Sequence, residues 1–249
     1  MNNDVNFKKQ RIVRIICTYR MGGSFGTGFF IKNTGELLTC THVIFGQGLK
    51  EIRNDQNFIA IIAGNDHDRL RKFYENKITS LQVELSNGQK VNAELIKFDE
   101  KHDIALLKIN SKREIEFFEL DADNDLNYDD EVFFCGYQLT TSYQPKDYPF
   151  TVNRGIVSSF PKIAICGEEY PHIQVNSINL GGNSGAPVFK QGSSEVVGIV
   201  NGNMNWGADN LAFINDQGQT KKDVLRIPLS IAYATTLKLI KLESSILSW

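Results

Sequence analysis

No stretch of this sequence approaches the roughly 18 consecutive apolar residues that a membrane helix requires. Neither sign of charge prevails: 27 Lys and Arg face 29 Asp and Glu, a net charge of −2 over 249 residues. The first absence speaks against a membrane-spanning chain. The second speaks against nucleic acid or an anionic lipid surface as partner, since both select a basic face. Cysteine is scarce too. Cys17, Cys40, Cys135 and Cys166 form no CxxC pair and no zinc-like spacing, so neither a metal finger nor a disulfide framework is encoded. As reduced core residues they suit a reducing compartment. Met1 to Gln10 is polar and the next apolar stretch is broken by Arg11, Arg14 and Arg20, which is no secretory leader. The expectation is a cytoplasmic protein. Repeats, low-complexity runs and a Pro/Gly-rich linker are also lacking, so residues 1–249 read as one domain.

What is present is a reactive inventory in three short segments. Thr41-His42-Val43 supplies an imidazole, His102-Asp103-Ile104 a carboxylate, and Gly181-Gly182-Asn183-Ser184-Gly185-Ala186-Pro187 a hydroxyl. A serine hydroxyl becomes a useful nucleophile when an imidazole takes its proton and a buried carboxylate fixes the imidazole tautomer. The glycines around Ser184 allow a sharp turn whose N–H groups converge on one point, as an oxyanion site needs. Each segment alone has a bland reading: Asn-Ser-Gly is ordinary turn chemistry, His42 a half-buried strand-end residue, Asp103 a strand-start cap. Together they are harder to dismiss, because each polar residue is flanked by apolar, β-prone residues.

These segments resemble those of trypsin-like serine peptidases of the chymotrypsin fold, in the style of the bacterial HtrA/Deg and glutamyl-endopeptidase branch. Gly26-Thr27-Gly28-Phe29-Phe30-Ile31 is similar to the strand before the catalytic histidine, Leu38 to Val43 to the segment that carries it, and Phe98 to Ile109 to the aspartate stretch. Asn183 to Phe189 resembles the nucleophile loop, Gly155-Ile156-Val157-Ser158 and Val197-Gly198-Ile199-Val200 two further strands, so the likeness runs from about Gln10 to about Ile240. The resemblance implies an all-β fold of two six-stranded antiparallel barrels with a C-terminal helix. It implies a serine endopeptidase with His42, Asp103 and Ser184 as triad, an oxyanion hole at Gly182, Asn183 and Ser184, and no cofactor or metal. The peptide would pair with Val200, Asn201, Gly202 and Asn203 beside a pocket at Ile178, Asn179, Leu180 and Gly181. Ile178 lies where trypsins hold their acid, so a small or medium apolar side chain is expected there. Asn183 stands where zymogen-activated relatives carry Asp, which implies control by loop ordering or a regulatory protein partner rather than propeptide removal. The alternative is a catalytically silent trypsin-fold module that binds a protein or peptide.

Alternation marks the strands. Ile12–Tyr19, Gly26–Lys32, Leu37–Thr41, Ile78–Ser86, Lys90–Phe98 and Ile104–Ile109 are assigned to a first barrel over about 10–115, with a hairpin turn at Ser86-Asn87-Gly88-Gln89. Glu131–Tyr137, Phe150–Phe160, Ile173–Ile178, Ala186–Phe189, Val196–Gly202 and Leu211–Asn215 are assigned to a second over about 116–228. A helix is expected over Ser230–Leu242 within a tail of 229–249, with no PDZ module following, and 45–77 reads as an insertion. Asp121-Ala122-Asp123-Asn124-Asp125 is not a calcium loop, since Leu126 and Val132 occupy the positions that need Gly and Glu. Asp66-His67-Asp68 reads as a wet loop.

Overall fold

The computed structural model describes residues 9–19, 22–45, 72, 78–139, 148–165, 168–214 and 220–247. Cys166, Asp66-His67-Asp68 and nearly all of the 45–77 insertion lie outside them. Six strands close the first barrel: β1 (Ile12–Tyr19), β2 (Gly22–Phe30), β3 (Glu36–Thr39), β4 (Ile78–Glu84), β5 (Lys90–Asp99) and β6 (Ile104–Ile109), in the antiparallel order β1-β2-β3-β6-β5-β4. A short helix, α1 (Thr41–Phe45), leaves β3. The second barrel contains β7 (Glu131–Tyr137), β8 (Phe150–Ser159), β11 (Ile173–Val175), β12 (Pro187–Lys190), β13 (Val196–Ile214) and β14 (Thr220–Thr236), in the order β11-β14-β13-β12-β7-β8. β9 (Lys162–Ile165) and β10 (Glu168–Pro171) form a separate ribbon, and α2 (Leu237–Glu243) follows β14.

The strands form where alternation is clean. In β1, Ile15 and Cys17 point inward while Ile16 and Thr18 do not, and β6 alternates likewise from Ala105 to Ile109. The expected Ser86–Gln89 turn closes the β4–β5 hairpin, with Leu85 N donating to Gln89 O at 2.9 Å. The core of the first barrel extends through the connection to Phe189, Val196 and Ile199 of the second, whose interior around Phe134, Val157 and Val188 forms a cluster of its own. Phe118 N donates to Phe30 O at 2.9 Å, and the Phe118 ring packs at 6.3 Å from Phe29 and 5.1 Å from Phe189. Residues 119–121 then bond to Val196, with Val196 N on Glu119 O at 3.0 Å and Asp121 N on Val196 O at 2.8 Å. Edge-on aromatic packing plus backbone bonds hold the barrels in one register, and a site split between them needs that.

β2 begins at Gly22 rather than Gly26 and β11 ends at Val175 rather than Ile178, and two further differences from the sequence expectation change which elements form. The helix assigned to Ser230–Leu242 begins only at Leu237: Ile231 to Thr236 is the end of β14, with Ala232 and Ala234 buried against Val175 and Ile173 of β11. Ile231, Tyr233, Thr235 and Thr236 suit a pleated surface, so pairing overrode the helix formers nearby. Thr236 then caps α2, its hydroxyl accepting from Leu239 N at 3.3 Å. Nor is Leu211–Asn215 a separate strand: residues to Ile214 continue β13, and β14 is the sixth strand of the barrel. The acidic run finds its role against α2. Asp123 pairs with Lys241 at 2.8 Å, and Asp125 pairs with Lys238. Such exposed pairs contribute about 0–1 kcal/mol each.

Candidate active site

Strand β3 ends at Thr39, and His42 lies on α1, whose orientation is fixed from three sides. Thr41 Oγ1 bonds the carbonyls of Ile104 at 2.8 Å and Asp99 at 3.1 Å. The Ser24 hydroxyl donates to Val43 O at 2.5 Å and the Tyr19 hydroxyl to Ile44 O at 2.5 Å, so β1 and β2 satisfy carbonyls that a five-residue helix leaves open. His42 then meets both oxygens of Asp103: its backbone N donates to Oδ1 at 2.9 Å and its Nδ1 lies 2.6 Å from Oδ2. The residues are 61 apart in sequence. Asp103 sits in the β5–β6 turn at φ +54°, a left-handed conformation that a non-glycine residue holds only when its surroundings insist. Burial alone draws the His42 pKa down; the charge of Asp103 and its hydrogen bond outweigh this, and the net shift is upward. An Nδ1–H held by a carboxylate leaves Nε2 free to take a proton.

The neighbouring His102 was not singled out by the sequence. It is a side chain 1% exposed whose Nδ1 lies 2.8 Å from Asp99 Oδ2 and whose Nε2 lies 3.3 Å from Glu243 Oε2 on α2. Its backbone N also donates to Asp99 Oδ1 at 3.2 Å. Burial lowers its pKa, but the bonds and charges of Asp99 and Glu243 raise it more. Asp99 moves down: burial raises it, and bonds from His102 and Ser244 overcome that. The only local signal was a polar residue within an apolar-flanked turn.

Ser184 reaches the same cleft from the second barrel. Its carbonyl accepts from Thr27 N of β2 at 2.8 Å. At Gly26 a Cβ would stand 2.5 Å from the Val43 side chain and 2.9 Å from Ser184 O, so the residue following His42 and the backbone of Ser184 crowd one point. Among the described residues, no hydrogen bond joins the Ser184 hydroxyl to His42. The N–H groups of Gly182 and Ser184 likewise donate to no described residue, although Gly182 is buried. Gly185, at φ +87°, carries the sharp turn; a Cβ there would lie 2.0 Å from Thr27 O. Ala186 is fully buried and absent from the positive-φ residues, so its methyl is accommodated without backbone strain. Asn183 is fully buried, and its amide donates to Gln138 Oε1 at 3.0 Å.

The expected pocket residues divide. Asn179 is buried and donates to Gly202 O at 2.6 Å, tying the 178–182 segment to β13. Ile178 is instead 57% exposed. Leu180 is half-buried and Gly181 exposed. Val200 has spent its backbone inside the fold: its carbonyl accepts from Gly185 N at 2.7 Å and from Cys40 Sγ at 3.2 Å, and its N donates to Ala186 O at 2.9 Å. Asn201 falls at a register shift between β13 and β14, with its amide on Thr235 Oγ1 at 2.7 Å. Beyond it, Gly202 and Asn203 pair with Tyr233 and Ala232 of β14 on one side, and β12 pairing ends at Ile199 on the other. An edge is thus presented from Asn201 onward among the described residues.

Cys40, His42 and Asp103 are the group of potential metal ligands among the described residues, with donor atoms all within 4.8 Å. A cation there would have to break the His42–Asp103 bond and ionise the fully buried Cys40 thiol, whose pKa burial, and then the Asp103 charge, pushes well up. The arrangement serves proton transfer better than ligation. Cys17 and Cys135 are also buried and in no disulfide, and burial pushes the Cys17 thiol up to about 11.

Comparison with known proteins agrees with the geometry. Residues 26–199 match the family model of a trypsin-like peptidase domain. The chain is similar to a probable periplasmic serine endoprotease DegP-like of Bartonella henselae, 30% identical over 176 residues that cover 71% of this chain and 27% of that protein. It is similar to a protein of the same name from Rhizobium meliloti, 26% identical over 216 residues, 87% of this chain and 33% of that protein. A third, serine protease HTRA1 of Xenopus tropicalis, is 29% identical over 178 residues, 70% of this chain and 30% of that protein. The chain thus spans about a third or less of the length of these relatives. The word periplasmic in two of those names tends against the cytoplasmic expectation. No helix among the described residues is long and apolar enough to cross a membrane.

Proposed function

Since this chain belongs to the trypsin-like peptidase family, in its HtrA/Deg branch, we propose that it is a serine endopeptidase using His42, Asp103 and Ser184. His42 Nε2 removes the Ser184 proton as Oγ attacks the scissile carbonyl, and the same proton passes to the leaving amine, leaving an acyl-enzyme on Ser184. Water, deprotonated by His42, then releases the acid. Asp103 stays ionised and stabilises the imidazolium. The N–H groups of Gly182 and Ser184, on either side of Asn183, receive the oxyanion, and the peptide adds as a strand along Asn201 to Asn203. The observation that carries this reading is the pair of hydrogen bonds from His42, one from its backbone N and one at Nδ1, to the two oxygens of Asp103, at 2.9 and 2.6 Å. It is made where the backbone of Ser184 docks on the first barrel.

Control by loop ordering or by a protein partner belongs to the same reading. Its support is that buried Asn183 donates to the Gln138 carbonyl oxygen, a neutral group, and that among the described residues no hydrogen bond joins the Ser184 hydroxyl to His42. That second fact also favours the silent-module reading. Active-site labelling with a fluorophosphonate, wild type against Ser184→Ala, decides between them. Labelling of wild type only is expected. A wild type that never labels, alone or with peptide substrate present, leaves the binding module. The cytoplasmic placement now rests only on the buried thiols, and fractionation of the native protein checks it.

A further inference from the structure

We propose that Thr27, on β2 of the first barrel, is a positioning residue that fixes the nucleophile loop of the second barrel by holding the peptide groups next to those that carry the oxyanion donors. The inference rests on the reading of Gly182 and Ser184 as those donors. A trans peptide is planar, so its N–H and C=O point in opposite directions, and holding the carbonyl aims the N–H. Four successive carbonyls of the loop are held. Gly181 O accepts from Leu139 N at 2.6 Å and Asn183 O from Ala186 N at 2.8 Å. These are the peptides whose N–H groups belong to Gly182 and Ser184. The two peptides next to them, whose N–H groups belong to Asn183 and Gly185, are held among the described residues by Thr27: its hydroxyl donates to Gly182 O at 2.7 Å and its backbone N to Ser184 O at 2.8 Å, so each donor peptide adjoins one that Thr27 fixes.

The hydroxyl is itself oriented. It accepts from Tyr137 N at 2.9 Å, so its single proton is committed to Gly182 O. Thr27 O in turn accepts from the Thr39 hydroxyl at 2.7 Å, three residues before His42. Thr27 is fully buried, so water does not substitute for these bonds. One residue therefore links the strand leading to the histidine, through its carbonyl, with the strand end at Tyr137 and the loop of the nucleophile, through its hydroxyl. A polar residue between Gly26 and Gly28 in an otherwise apolar strand was its signal in the sequence.

The test compares Thr27→Val, which keeps the shape and removes the hydroxyl, with Thr27→Ser, which restores it. Removing an oxyanion donor outright costs about 10²–10³ in kcat, so misaiming one predicts a loss of roughly 10- to 100-fold in kcat for Thr27→Val. KM on a peptide substrate should stay within about twofold, and Thr27→Ser should recover most of the rate. Affinity for a peptide boronic acid, which forms a tetrahedral adduct, should fall in parallel with kcat. Thr27→Ala serves in place of valine should that variant misfold. Unchanged kcat in Thr27→Val, or a loss in Thr27→Ser equal to that in Thr27→Val, overturns the proposal. Amide hydrogen exchange at Asn183, whose N–H is bonded to Leu180 O and whose peptide carbonyl the Thr27 hydroxyl holds, is read in the same proteins and should quicken in Thr27→Val. If wild type shows no turnover, the peptidase reading fails; faster exchange then still upholds the loop-holding role of Thr27, and unchanged exchange ends both.

Discussion

Replacing Asp99 by Asn removes one negative charge from a pocket that holds His102 at 2.8 Å, while keeping an oxygen for the backbone N of His102. Three groups face this imidazole or its partner: Asp99 at the end of β5, Glu243 at the end of α2, and Ser244 beyond it, with Lys97 reaching Ser245 O nearby at 3.5 Å. The folded pKa of His102 is raised, so its stabilising contribution is complete below the unfolded histidine value and is lost as pH climbs through the folded one. The folded pKa of Asp99 is lowered, so its contribution is present above the usual carboxylate range and is lost only in acid, as pH falls through the folded value. Between those limits both are charged. Breaking a buried pair by removing one partner costs about 3 kcal/mol. For a chain of this length that lowers Tm by roughly 6–12 °C. At pH 5.5, scanning calorimetry of Asp99→Asn against wild type should show that drop. As pH is raised toward 9 and His102 loses its proton on passing its raised folded value, only a hydrogen bond worth about 1 kcal/mol remains and the gap should shrink accordingly. An equal gap at both pH values, or a larger one at pH 9, refutes the charged-pair account.

Asp103→Asn should lower kcat/KM by about 10⁴-fold, because the amide favours the wrong imidazole tautomer. Steady-state hydrolysis of a peptide substrate measures it, and a loss under tenfold contradicts the assigned role. In wild type the acid limb of kcat/KM should titrate above the ordinary histidine value, since Asp103 raises the pKa of His42, with activity lost as pH falls through it; a pH–rate profile with the limb at or below that value counts against the dyad. Gly185→Ala must place a methyl 2.0 Å from Thr27 O at φ +87°. Left-handed strain of about 1–2 kcal/mol and overpacking of about 1–3 kcal/mol predict a thermal unfolding midpoint lower by several degrees, and an unaltered midpoint would contradict the packing.

Much of the first barrel was legible because its signals are local. Period-two burial in Ile12–Tyr19 and Ile104–Ile109 and the turn at Asn87-Gly88 each depend on a few adjacent residues. The second barrel was less so. Ile231 to Thr236 has residues that suit a helix or a strand, and the choice was made by pairing with β11 and β13. Val200 read as a substrate-facing position, yet Gly185 and Ala186 had already claimed its backbone.

The sequence by itself determined which chemistry was available: an imidazole, an acid and an alcohol, each beside apolar strand residues, with glycines where the chain must bend. Only the tertiary structure decided how they are held. The Thr27 hydroxyl meets Gly182 O across 155 residues, Cys40 meets Val200 across 160, and His102 meets Glu243 across 141. Such contacts join strands and helices whose local preferences are satisfied without them, so nothing in a short window of sequence specifies them. They arise when two barrels close against each other and bring buried polar groups to the few donors and acceptors within reach.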